Sequence, residues 1–551
     1  DAVAFDYIIN SHVIKTAISR LNPHKNDGDF RLSSDHFIHG GAELSIHIAF
    51  LFSAMIIHGT MPVSFNSSTV IPIPKKCNGN NAVSDNYRGI ALSSFFGKIF
   101  DNVILDKYCD KLCTSELQFG FKQHSSTNMC TMILKETLSY YAKNQGSAYC
   151  CFLDASKAFD RLNYCKLIRL LVRRNLPPCT VRILINMYTS HSIRISWAGL
   201  FSNYFNALNG VKQGGVISPL LFCIYIDDLL IKLSLSGVGC FIGFNFVGAL
   251  AYADDIVLIA PSPSAMRKLL SICDIYAKEY DIVFNAKKSK FLAVVGSKRR
   301  SLFKATCNCV FYIGGDPIEN VDSFQHLGHI ITSGLGDEED VLNRRNSFFG
   351  QVNNVLCFFG KLDWFARVKL FKAYCTSMYG CELWSLSSVV INEFCTAWRK
   401  GLRRVMVLPY NTHNYFLPLL ADTIPIFDEL CKRTARFINS CLFSKSSLVR
   451  AIAWQGVVLS RCDSVVGRNA IVCCDRYGWG LSEFALGTID LSNVYFVRNF
   501  RNYVTDVELS RTLTLFELIA IREGFFNLSF ADNVGFSRTE LQYFLDFFAT
   551  A

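Results

Sequence analysis

No stretch of this 551-residue chain stays apolar for the roughly 20 residues that a membrane-spanning helix needs. The most apolar run, Ile48 to Ile57, is about ten residues long between His47 and His58, and reads as a buried helix. Nothing resembles a secretory signal, and the 22 cysteines show no regular spacing. That argues against a secreted disulfide scaffold and for reduced thiols in an intracellular protein. Cys150-Cys151 and Cys473-Cys474 cannot build tetrahedral zinc sites without partners, and Cys307-Asn308-Cys309 lacks a second pair. Histidine is scarce, and none follows His413. The chain begins at Asp1 rather than at Met, so a piece of a longer reading frame is expected.

What is present is a large apolar content, 50% of residues with a mean hydropathy of +0.24, on a length that allows several subdomains. The net charge of +11 is modest, but the bases cluster at Lys287-Lys288-Ser289-Lys290, Lys298-Arg299-Arg300, Arg399 to Arg404 and Lys432-Arg433. Such runs are often solvated faces. With aromatics between them, as from Trp398 to Tyr410, they also fit a channel that tracks phosphates.

The most telling stretch is Ala249 to Ala260, where two apolar, β-forming runs flank Asp254-Asp255. That pattern predicts a buried hairpin whose tip carries two carboxylates, although an ordinary Asp-Asp turn would look the same. A hundred positions upstream, Tyr149 to Leu153 forms another apolar run, ending on Asp154 and followed by a helical segment through Leu171. A strand ending in Asp154 beside the tip would gather three oxygen ligands, an arrangement suited to hard divalent cations. Between them lies Asn209-Gly210-Val211-Lys212-Gln213-Gly214-Gly215, with a helix predicted to open near Ser218-Pro219.

In this order, the strand-Asp, the Gln-Gly turn and the Tyr-Ala-Asp-Asp hairpin resemble the reverse transcriptases of non-LTR (LINE-type) retrotransposons. The resemblance runs from about Gly59 to at least Leu420. It implies an α+β right-hand polymerase fold with an antiparallel palm sheet and a helical thumb. Residues 1–58 would be a helical N-terminal extension of two helices, 59–333 fingers and palm, 334–420 the thumb, and 421–551 a mixed region of unknown role. Asp154 and Asp254 would be the principal ligands of two Mg²⁺ ions, with Mn²⁺ as a substitute, and Asp255 a secondary carboxylate. Lys75 (or Lys76) and Arg88 would meet the incoming triphosphate, a task that suits the planar guanidinium fork. Phe159 would lie beneath the sugar, and Gln213 and Gly214 would line the nucleotide and template pocket. Lys288 would protonate departing pyrophosphate, with a solvated turn lysine as the alternative. Gln118 to Lys122 would lie near the template, and Phe324 to Ile331 would form the hairpin that grips the primer.

Further expectations concern local structure. Ser68 to Lys76 should be an edge strand because its prolines cannot donate to a central ladder. Ser94 to Leu112 and Thr127 to Lys143 should be helices, and Ile193 to Leu208 a hairpin with Trp197 near its turn. Met266, Leu269, Leu270, Cys273, Ile275 and Tyr276 should share an inward stripe. His326 and His329, alternating along one strand, should face opposite ways. The Cys-Cys-His-Cys knuckle of many relatives and their endonuclease are not expected in this chain. The activity implied is RNA-directed DNA synthesis from retrotransposon RNA, with an RNA template, a DNA primer or nicked target DNA, and dNTPs as partners. No membrane is implied, and the expected location is a cytoplasmic ribonucleoprotein with nuclear action. The alternatives are a group II intron or retron-type enzyme, and a decayed or domesticated copy that binds nucleic acid without catalysis.

Overall fold

The computed structural model describes residues 8–27, 32–75, 80–296, 309–412, 414, 416–421, 423–460 and 462–489. Lys76, Lys298-Arg299-Arg300, Cys307, His413 and residues 490–551 lie outside them.

Three helices open the described chain where two were expected: α1 (Ser11–Ser19), α2 (Ser34–Ile38) and α3 (Gly41–His58). His39 and Gly40 separate the last two, and Gly41, the first residue of α3, takes a φ of +78° that a larger residue would resist. Among the described residues α3 alone has the length and composition to cross a membrane, with 18 residues at a mean hydropathy of 1.5. It is longer than the expected apolar run, and only one side of it is buried. Ile48, Phe52, Met55 and Ile56 enter the core, whereas Ile46, Phe50 and Ile57 remain exposed.

The chain continues through β1 (Ser67–Pro74), β2 (Tyr87–Ser93), α4 (Phe95–Lys107), α5 (Thr127–Lys143) and β3 (Ser147–Asp154). Then come α6 (Ala158–Arg161), α7 (Tyr164–Arg173), α8 (Pro178–Thr189), β4 (Ser192–Trp197), β5 (Leu200–Phe201), β6 (Phe205–Asn206) and α9 (Ser218–Ser234). The palm is completed by β7 (Phe241–Ile242), β8 (Asn245–Phe246), β9 (Ala249–Tyr252), β10 (Asp255–Ala260), α10 (Pro263–Tyr280) and β11 (Lys290–Val295). Three further hairpin strands are β12 (Phe311–Ile313), β13 (Asp316–Asn320) and β14 (Ser323–His326), and β15 (His329–Thr332) closes the last hairpin.

The fingers sheet has the order β2-β1-β4-β5, with β6 also on β4. β1 is therefore not an edge strand. Its first half, Ser67 to Val70, pairs in parallel with β4, while Pro72 and Pro74 lie beyond that pairing and meet only β2. The prolines end the second ladder instead of excluding it. The Ile193 to Leu208 hairpin forms as expected, with Trp197 opposite Leu200 at its turn.

The palm sheet has the order β12-β13-β11-β3-β10-β9. Residues Ala148 to Leu153 of β3 and Ile256 to Ala260 of β10 are all buried, because α5 and α10 cover the sheet. Each such aliphatic or aromatic side chain contributes about 1.5–3 kcal/mol on burial, so this pair of strands forms a rigid platform.

Several local expectations need correction. α4 ends at Lys107 instead of Leu112, and the segment after Asp154 is two helices because Leu162 and Asn163 leave the helical path, Asn163 then capping α7. Ile275 is 63% exposed, since it lies off the stripe made by Met266, Leu269, Leu270, Cys273 and Tyr276. His326 and His329 are not on one strand. A Leu327-Gly328 turn makes them cross-strand partners, both buried, with His329 Nε2 3.0 Å from Asn128 Oδ1 and His326 against Phe152.

Past the palm lie helices Glu338–Phe359, Trp364–Tyr374 and Val389–Met406, packed on one another. The region beyond 421, expected to be mixed, is helical where described: Ile426–Leu442, Ser447–Trp454, Val465–Tyr477 and Leu481–Leu486. Both regions bind α5, the first through the segments that flank its helices. Thr127 Oγ1 is 2.6 Å from the Tyr379 hydroxyl, Lys135 Nζ donates to Asp337 and to the Leu383 carbonyl, and the Glu136 carboxylate accepts the Val466 N–H at 3.0 Å.

Trp398 is buried at 3%, so it is core packing and not a ring between surface bases. Arg403 is also committed elsewhere: its guanidinium donates to the Thr412 carbonyl and to Asn414 Oδ1. Lys400 and Arg404 are exposed, whereas Arg399 is half-buried.

Candidate active site

The β3–β10 ladder sets the geometry. Asp255, the first residue of β10, is the antiparallel partner of Asp154, the last residue of β3. Asp254 stands in the turn between β9 and β10, so all three predicted acids share one end of the palm sheet. Burying or crowding like charges raises the free energy of the ionised forms. Accordingly, desolvation first and Asp154 second raise the pKa of Asp254, while Arg88 opposes the shift. Desolvation, then Asp254 and Asp154, push Asp255 up to about 6. Arg88, exposed on β2, is near enough for its charge to act on Asp254.

Asp154 is fixed by its backbone. Its N–H donates to Ser289 Oγ at 3.1 Å, and its carbonyl accepts the Asn285 N–H at 2.8 Å. Its Oδ2 is buried without a hydrogen-bond partner, and Lys288 Nζ lies 3.6 Å from that oxygen. The predicted base Lys288 is therefore beside the acids, on a turn that also anchors Asp154. Among the described residues no three His, Cys, Asp or Glu side chains close into a formed metal cage.

The Asp-Asp turn rests on residues that the sequence alone did not single out for this role. Ala253 has a φ of +58°, a left-handed conformation costing about 1–2 kcal/mol for a residue with a Cβ. Gln118, fully buried, compensates by accepting the Ala253 N–H on Oε1 at 2.9 Å. The neighbouring Phe119 N–H donates to the Ala251 carbonyl at 2.8 Å. A Cβ on Gly120 would lie 2.4 Å from Ala253 N, so the close approach needs glycine. Gln118 to Gly120 thus acts as a buttress under the acids.

The Gln-Gly turn spans from palm to fingers. The Gln213 carbonyl accepts the Ala91 N–H of β2 at 2.7 Å, and its side chain donates to Asp160 Oδ1 at 3.1 Å. Gly214 has a φ of +110°, and a Cβ there would lie 2.8 Å from the Ala91 carbonyl oxygen. Phe159 stacks on buried Phe222 with ring centroids 4.5 Å apart, leaving the ring half-buried. Lys75 is exposed at the end of β1, and its N–H donates to the Asn86 carbonyl at 2.8 Å.

The reverse transcriptase (RNA-dependent DNA polymerase) family matches residues 73–331, which include every one of these positions. An R2 retrotransposon Pol polyprotein of Nasonia vitripennis is 24% identical over 51% of this chain and 28% of its own length. The polymerase of the jockey mobile element of Drosophila funebris is 22% identical over 72% of this chain and 44% of its own. The chain thus spans less than half the length of these relatives. Among solved structures, an apo telomerase of Candida tropicalis overlays on 71% of this chain and 69% of its own, at 13% identity and a TM-score of 0.38. The family match and the relatives agree on the stretch that holds the acids, and over that stretch the chain is similar to reverse transcriptases of non-LTR retrotransposons.

Proposed function

We propose that this chain is an RNA-directed DNA polymerase that copies retrotransposon RNA into DNA. The observation that carries the reading is the convergence of Asp154, Asp254 and Asp255 at one sheet end. Buried carboxylate oxygens need a partner, and Asp154 Oδ2 has no hydrogen-bond donor. That oxygen and the two raised acids fit divalent cations, so Asp154 and Asp254 would hold two Mg²⁺ or Mn²⁺ ions, with Asp255 in support. When bound, such ions neutralise charge developing on the attacking and leaving oxygens of a phosphoryl transfer.

The protein's own part is positioning. Arg88 grips the triphosphate of a dNTP, with Lys75 at the rim of the same sheet. The Gln213-Gly214 turn and Phe159 bound the base and sugar. Lys288, 3.6 Å from Asp154 Oδ2, stands where it can give a proton to departing pyrophosphate. An RNA template and a DNA primer or nicked target DNA complete the complex, and action in a cytoplasmic ribonucleoprotein that enters the nucleus follows from that substrate set.

Primer extension on an RNA template with Mg²⁺ tests the proposal. Extension with dNTPs is the expected result. Template binding without extension would overturn it in favour of a copy that only binds nucleic acid.

A further inference from the structure

One buried carboxylate outside the set of acids described above stands between fingers and palm. Asp101 lies on α4, which follows directly from β2, the strand that carries Arg88. It is 7% exposed, and its Oδ2 accepts the N–H groups of Val216 at 3.2 Å and Ile217 at 3.4 Å. Those amides end the Gln-Gly turn and open α9, whose own N-cap residue, Ile217, offers no side-chain oxygen. Asp101 therefore caps α9 from a different element, with a charge that suits the positive end of a helix.

The start of the same turn is held by Lys212. Its Nζ donates to Asn66 Oδ1 at 3.1 Å, and Asn66, 2% exposed, donates in turn to the Asn186 carbonyl. Burial raises the pKa of Asp101 and is opposed first by Lys212; burial lowers that of Lys212 and is opposed by Asp101. The two charges are thus a compensating pair on either side of Gln213 and Gly214. The middle of the turn is bonded to β2 through Ala91.

We infer that Asp101 and Lys212 form an internal clamp that fixes the Gln213-Gly214 turn relative to the Arg88 strand, and so sets the width of the nucleotide pocket. They are positioning residues: neither reaches the acids. The role rests on the polymerase reading for its kinetic consequence, but the clamp itself is a property of the folded chain. A turn held at both ends as well as through Ala91 cannot drift from β2, whereas one left with only its bonds to Ala91 and Asp160 can. A looser pocket weakens nucleotide capture before it affects template binding, because the template is also held elsewhere.

The test joins amide hydrogen exchange to steady-state kinetics on the full chain. In Asp101→Ala, exchange at Val216, Ile217 and Ala91 should accelerate by about tenfold or more, with β3 amides unchanged. The KM for dNTP should rise by about tenfold while primer–template affinity stays at the wild-type value. Asp101→Asn preserves shape if the alanine variant fails to fold, and should show the same KM change. Lys212→Met should raise the KM and Lys212→Arg should restore most of it. Unchanged exchange at those three amides would overturn the clamp, as would a fall in kcat with KM unmoved. A wild type that binds template but extends nothing would sink the polymerase reading alone, and the exchange data would still decide the clamp.

Discussion

Asp154 closes one palm strand and Asp255 opens the next, and the two are direct partners in antiparallel register. Like charges directly opposite one another destabilise a ladder, so this pairing makes sense at a site where a cation relieves it. Asp154→Asn or Asp254→Asn should abolish primer extension, since an amide neither carries the charge nor binds Mg²⁺ comparably. Template binding, read by a filter or fluorescence titration, should survive. Extension in either variant near the wild-type rate would refute the assignment of these acids.

The raised pKa of Asp255 makes a stability prediction with a definite sign. Its value in the folded chain, about 6, exceeds the ordinary 3.8. The folded state therefore binds this proton more tightly, and the stability so gained is present at low pH and lost as pH rises through about 6. Asp255→Asn, measured without divalent ions, should melt above wild type at about pH 7.5, with the gap closing towards about pH 4. In the same pH range, wild-type activity should fall as the solution is acidified through about 6, because protonated carboxylates lose Mg²⁺. A constant gap in melting temperature across that range would show that Asp255 is not the group titrating.

Phe159 offers a test of sugar selection. Its ring packs on Phe222 and is only half-buried, so one part of it is available to a substrate. Phe159→Ala would mix that role with a packing loss of roughly 3–5 kcal/mol. Phe159→Val keeps an apolar wall and opens space below the ribose. Ribonucleotide incorporation should then rise by about tenfold or more, equal to about 1.4 kcal/mol in the transition state, with deoxynucleotide use reduced much less. Parallel loss of both substrates in single-nucleotide assays would make Phe159 a packing residue only.

The basic helix divides into two kinds of arginine and lysine. Lys400 and Arg404 are exposed, whereas Arg403 ties the end of its helix to Thr412 and Asn414. Replacing Lys400 or Arg404 by Gln should flatten the salt dependence of duplex binding by roughly one unit of slope for each phosphate no longer neutralised. Arg403→Gln should lower the melting temperature instead and leave that slope nearly unchanged. Equal slopes for wild type and the Lys400→Gln, Arg404→Gln double variant would make this a solvated face.

Much of this architecture was legible because its signals are local. The apolar run that stops on Asp154 became β3, the run that starts on Asp255 became β10, and Asp254 fell in the turn between β9 and β10. What escaped was non-local. The second partner of β1 lies more than a hundred residues away, and a parallel pairing over Ser67 to Val70 leaves no mark that outweighs two prolines. Gln118 reads as a polar residue before a Phe-Gly pair until its bond to Ala253 is seen. Arg403 reads as one of four bases on a helix, because a guanidinium folded back onto a loop has the same letter as one facing a phosphate. The His326 and His329 expectation failed on a single turn, since inserting Leu327-Gly328 converts alternation along a strand into opposition across a hairpin.

The grip of α5 on the later helices gives the protein two different sizes. The unit that matches the polymerase family runs from residue 73 to residue 331. The unit that folds is larger. Severing the chain at 331 would strand Lys135, which is only 14% exposed, without Asp337 and the Leu383 carbonyl, and buried Glu136 without the Val466 amide. Truncation would also uncover the face of α5 that the later segments shield, so the Lys135 and Glu136 bonds and the packing around them would be lost together. Changes beyond residue 331 are therefore felt, through one palm helix, at the sheet that carries the acids.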